Sequence, residues 1–101
     1  MAAIIKAISY FLPERVFTNE DYYREFPEAL NGKSTLEKVG VKKRHIARPD
    51  ETASDLAFGA AEKLFAEHGI DRNSIDFLVL CINEPDFYTP TTACVLQERL
   101  K

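Results

Sequence analysis

With 101 residues, 46% of them apolar and 29% charged, the chain has room for one globular domain at most. Its net charge of −3 gives no global attraction to nucleic acid, and it holds no apolar run of about 18 residues to cross a membrane. Two cysteines, Cys81 and Cys94, are too few for a secreted disulfide scaffold, and no Cys-x-x-Cys or paired-histidine spacing signals a metal site.

The first residues lack a basic leader and turn polar after Ile8, so they do not read as a signal peptide, and the expected location is cytoplasmic. Residues 3–10, "AIIKAISY", are β-rich and read as a first strand. "LPER" turns the chain, with Pro13 barring continuation. Thr18 and Asp21 have the spacing of a helix N-cap with an acid in the first turn. A short helix through Tyr22, Tyr23 and Phe26 follows, and Pro27 ends it. Asn31-Gly32 carries turn chemistry, so a mobile loop is expected there, with a helical turn around Leu36.

Residues 41–47 read as an extended basic connector. Thr52 and Asp55 repeat the N-cap spacing before a second helix, which puts Leu56, Ala60, Leu64 and Phe65 on one face. Ala57 and Ala61 leave room for close approach to a sheet, and Gly69 suits the C′ position. "IDFLVLCI", residues 75–82, is nearly continuous apolar sequence, the signature of a strand buried on both faces. Thr89-Pro90 reads as a helix start, with Thr89 the N-cap and Pro90 the first helical residue. The last helix carries Ala93, Leu96 and Leu100 on one stripe. Strand, helix, strand and helix imply an α/β layer architecture, of which 101 residues supply only a piece.

The patterns "SYFLPERVFTNED", "GVKKRHIARPDETASDLAFGAAEKL", "GIDRNSIDFLVL" and "TPTTACVLQERL", in that order, resemble the N-terminal part of the β-ketoacyl-acyl-carrier-protein synthase III family. The resemblance implies a partial thiolase-like fold, a strand-helix-strand-helix piece of a helix-covered mixed sheet, and residues 1–101 as one N-terminal segment of a larger domain. It implies a parent acyltransferase that condenses an acyl-thioester primer with malonyl-acyl carrier protein in fatty-acid or related biosynthesis. Acyl-coenzyme A or acyl-acyl carrier protein would be substrate, acyl carrier protein a partner, and the parent a homodimer with no permanently bound cofactor. The family's catalytic Cys, His and Asn would lie beyond Lys101, leaving these residues inactive alone. Two alternatives are a non-catalytic thiolase-fold partner subunit and a specialised-metabolite ketosynthase; a third is an independent small α/β module.

Cys94 begins a helix, where the dipole favours a thiolate, but it lacks the neighbouring glycine of the family's nucleophile; Cys81 reads as core. His45 and His68 read as structural. Lys38, Lys42, Lys43, Arg44 and Arg48 form a basic segment suited to phosphate, or to a solvated surface. The resemblance sets Ser34, Lys38 and Val39 where the family has the Trp, Arg and Thr of its coenzyme A site, so Lys38 alone keeps the charge. It also makes Arg44 a scaffold residue, paired with Asp50, Glu51 or Asp55. Thr89 replaces an often aromatic residue that closes the acyl pocket across the dimer, which implies a roomier pocket. Bare apolar faces lead us to expect self-association of the 101-residue chain.

Overall fold

The computed structural model describes residues 1–32 and 37–101. They form two compact units, Pro13–Arg48 and a second made of Met1–Leu12 with Pro49–Lys101. Helices and a small sheet make the fold mixed α/β.

In the unit Pro13–Arg48, strand β1 (Arg15–Thr18) pairs antiparallel with β2 (Lys43–Ile46) in the register Arg15↔Ile46 to Thr18↔Lys43. Helix α1 (Asn19–Glu25) starts directly after β1 because Thr18 caps it: the Asp21 N–H donates to the Thr18 hydroxyl, and the Asp21 carboxylate accepts from the Thr18 N–H. Pro27 ends it and opens a 3₁₀ turn, Pro27–Gly32. Phe17 is the buried apolar residue of this unit, with the Tyr22 ring edge-on at 6.5 Å. Asn31 and Gly32 thus belong to a 3₁₀ turn and not to the expected loop, and the turn expected around Leu36 lies outside the described residues.

The other unit is organised by helix α2 (Ala53–His68), capped by Thr52 and Asp55 in the same reciprocal way. It ends on Gly69, whose φ of 59° is the left-handed conformation a side chain would resist. Residues 53–65 are half-buried all round, apart from the fully buried Ser54. The N-terminal segment covers one stripe, with the Phe11 ring on Gly59, the Tyr10 ring under Lys63 and Ser9 bonded to Glu67. Another stripe meets arginines, with Arg99 over Phe58 and Arg72 over Phe65 and paired to Glu62. The single apolar face expected at Leu56, Ala60, Leu64 and Phe65 is therefore replaced by contact on several sides. Helix α3 (Thr92–Arg99) buries Thr92 and Leu96, with Ala93 and Leu100 half-buried beside them, close to the expected stripe.

The two long strands do not form among the described residues. Residues 3–10 and 75–82 make no ladder, and Phe77 and Val79 are 83% and 79% exposed. Apolar β-rich sequence becomes a strand only when a neighbour takes its N–H and C=O groups. Cys81, expected in a buried strand, is exposed for the same reason. The observed strands are short: β1 begins in the expected turn, and β2 falls within the connector read as extended. Helix α3 also begins two residues later than expected. Thr91 is the N-cap, its carbonyl accepting from Cys94 and Val95, and Thr89-Pro90 precede the helix. The Thr92 hydroxyl accepts from the Asp86 N–H (3.1 Å), which ties the first turn to the preceding loop.

Candidate functional site

The basic segment lies in the unit Pro13–Arg48. Lys38 is exposed in a helical stretch, 37–39, and Gly40 follows with φ 80°, a conformation that favours glycine. Lys42 and Lys43 are exposed as well. Among the described residues, the side chains of Lys38, Lys42 and Lys43 have no ion pair or hydrogen bond. Most other cations are engaged: Arg15 with Glu25, Arg24 with Asp21, Lys63 with Glu67, Arg72 with Glu62, Arg99 with Asp55 and Lys101 with Glu98. Three lysines with uncommitted side chains in one basic segment offer charge to an anion from outside.

Asn19 holds the backbone of that connector. Its N–H donates to the Lys42 carbonyl (3.1 Å) and its Nδ2 to the Val41 carbonyl (2.8 Å). Its Oδ1 accepts from Arg44 Nη2 at 2.6 Å. Arg44 also donates to the Thr18 carbonyl and lies 5.7 Å from the Tyr22 ring centre. Arg44 is thus a scaffold residue, but Asn19 and Tyr22 hold it, and Asp55, one of its expected partners, pairs with Arg99 at 2.9 Å. Val39 is exposed, and Ser34 lies outside the described residues.

Thr89 is exposed on the loop between residue 82 and α3, in the other unit. The same loop borders an apolar recess of about 300 Å³ lined by Leu80, Ile82, Phe87, Tyr88 and Ala93, among others, with Thr89 itself outside the lining. The loop is fastened at its base. The Ser54 N–H donates to Asp86 Oδ1 (3.2 Å), and the Ser54 hydroxyl accepts from Arg99 Nη1 (2.9 Å). Burial pushes the Asp86 carboxyl up, but hydrogen bonds from Ser54 and Thr52 outweigh it and leave the group below its ordinary value. Sequence reasoning did not assign roles to Asp86, Thr92 or Arg99, and it left the part of Asn19 unseen. Local spacing shows caps, whereas these bonds join residues 6 to 45 positions apart.

The cysteines and histidines form no nucleophilic set among the described residues. Cys94 is exposed, with the Thr91 hydroxyl at 3.3 Å. His45 Nδ1 meets the Pro13 carbonyl at 2.5 Å and His68 Nε2 the Ile8 carbonyl at 3.3 Å. Both rings are backbone anchors. The described residues contain no group of His, Cys, Asp and Glu able to hold a metal ion, and no helix long and apolar enough to cross a membrane.

No family model matches the chain. It is 37% identical to a β-ketoacyl-[acyl-carrier-protein] synthase III of Solibacter usitatus, over 97% of this chain and 29% of that protein. It is 39% identical to the protein of the same name from Porphyromonas gingivalis, again over 97% and 29%. A crystal structure of a 3-oxoacyl-(acyl-carrier-protein) synthase III matches with a TM-score of 0.76 and 44% identity, over 92% of this chain and 27% of that one. The chain therefore spans under a third of the length of these relatives.

Proposed function

Because the chain belongs to the β-ketoacyl-[acyl-carrier-protein] synthase III family, we propose that it is the N-terminal part of an acyltransferase that condenses an acyl-thioester primer with malonyl-acyl carrier protein. The observation that carries this is identity of 37–39% across 97% of the chain, together with the shared fold. In the complete enzyme a cysteine beyond Lys101 takes the acyl group from its thioester. Loss of carbon dioxide from the malonyl unit generates the carbanion that attacks this acyl-cysteine, forming the carbon–carbon bond and releasing the cysteine thiolate. A His and an Asn, also beyond Lys101, stabilise the enolate. Residues 1–101 contribute binding and scaffold and are inactive alone.

In this reading Lys38 meets a phosphate of the acyl donor, coenzyme A or the phosphopantetheine arm of acyl carrier protein. Thr89 borders the acyl chain across a homodimer interface. Its small side chain, in place of the family's often aromatic residue, leaves room for a primer longer than acetyl. The enzyme works in the cytoplasm and carries no permanently bound cofactor.

The test is condensation by the complete protein with malonyl-acyl carrier protein. We expect 3-oxoacyl product with equimolar carbon dioxide, and octanoyl primer used at least as well as acetyl. Strong preference for acetyl would overturn the pocket assignment. Binding of both thioesters with no new carbon–carbon bond would make the parent a non-catalytic partner subunit.

A further inference from the structure

We propose that Asn19 is a positioning residue for the acyl-donor site, and that Lys42 and Lys43 join Lys38 as its phosphate contacts; this rests on the acyltransferase reading above. Lys42 and Lys43 are exposed, their side chains lack a partner among the described residues, and they are adjacent in sequence. Long lysine side chains lose conformational freedom when they bind, so a fixed backbone beneath them matters. Asn19 supplies that fixity on both sides of the turn into β2. One edge of its amide donates to the Val41 carbonyl, its own N–H donates to the Lys42 carbonyl, and its oxygen takes Arg44.

The position is also demanding. As the first residue of α1, Asn19 has an N–H with no partner inside the helix, so the bond to Lys42 satisfies a group that would otherwise face water. Its side chain then needs one donor and one acceptor about a peptide's width apart, which a carboxamide provides. Aspartate would keep the bond to Arg44 and lose the donor to Val41. Alanine would lose both. In each case Lys42 and Lys43 keep their charge and lose their fixed origin.

The experiment compares two donors in the complete enzyme. Acyl-coenzyme A carries phosphates, and the matching acyl-pantetheine carries none. For Asn19→Ala we expect the ratio of kcat/KM for acyl-coenzyme A over acyl-pantetheine to fall about three- to tenfold, the scale of one or two weakened surface charge contacts. The loss should lie mainly in KM and shrink at high salt. Lys42→Ala with Lys43→Ala should lower the same ratio. A general loss of folding lowers kcat/KM for both donors alike, so an unchanged ratio in Asn19→Ala overturns the role of Asn19. If that ratio holds while the lysine variant lowers it, the phosphate site stands and only its support is misassigned. If the lysine variant leaves it unchanged too, the proposal falls, and condensation assayed with acyl-pantetheine still tests the acyltransferase reading on its own.

Discussion

At Gly59 a single missing carbon decides how α2 packs. A Cβ built there would sit 2.9 Å from Cγ of Phe11, closer than such atoms come. Glycine inside a helix costs about 1 kcal/mol relative to alanine. The contact with Phe11 opposes that gain, and ring Cγ cannot swing aside without moving the whole ring. We expect Gly59→Ala to be destabilising overall, lowering Tm by a few degrees, about the effect of 1 kcal/mol in a domain of this size. Combining it with Phe11→Leu should recover part of the loss in the same thermal melt. The sequence pointed to Ala57 and Ala61 as the places of close approach, whereas the contact is made at Gly59. Helical periodicity shows which residues share a face, but which small residue meets a ring depends on a segment 48 positions away.

The elements divide by how local their causes are. Both caps were legible, since Thr18 with Asp21 and Thr52 with Asp55 complete their bonds within three residues. So were the ends of α2, Thr52 to Gly69. The strands were not, because a strand is defined by its partner. Arg15–Thr18 became β1 through Lys43–Ile46, more than two dozen residues on, and "IDFLVLCI" has no such partner among the described residues. For the caps, Thr52→Ala should cost about 1 kcal/mol, read by denaturant unfolding. Asp55 is held below its ordinary value by the Thr52 N–H first, then the Thr52 hydroxyl and Arg99; Asp21 is lowered by Thr18 in the same way. A carboxyl whose folded value lies below its unfolded one stabilises above the unfolded value, and that stabilisation disappears as pH falls through the folded value. Stability should therefore drop on acidification below about pH 4. Thr52→Ala should flatten the drop, and a curve of equal steepness in the variant would refute the assignment.

For the whole molecule, the apolar side chains that remain outside matter most. Ile4, Ile5 and Ile8 at the start, with Phe77 and Val79 in the apolar run, are largely exposed, while Phe17 and Leu96 are the buried apolar residues among those described. Exposed apolar segments with unpaired backbone groups attract further strands or copies. The 101-residue polypeptide should run as dimers or larger species in light scattering coupled to gel filtration. Phe77→Lys with Val79→Lys should shift it toward monomer. A monomer peak with a cooperative melt in the unaltered chain would count against this picture.

The β1–β2 ladder has a bearing on how this family can diverge. Its register sets Phe17 opposite Arg44 and Thr18 opposite Lys43. One residue inserted between Lys43 and Ile46 would turn every later side chain to the other face of the ladder. One inserted in the Pro27–Gly32 turn would leave the pairing intact. Single side chains of the basic connector can therefore be exchanged without disturbing the pairing, whereas its length is locked to the ladder.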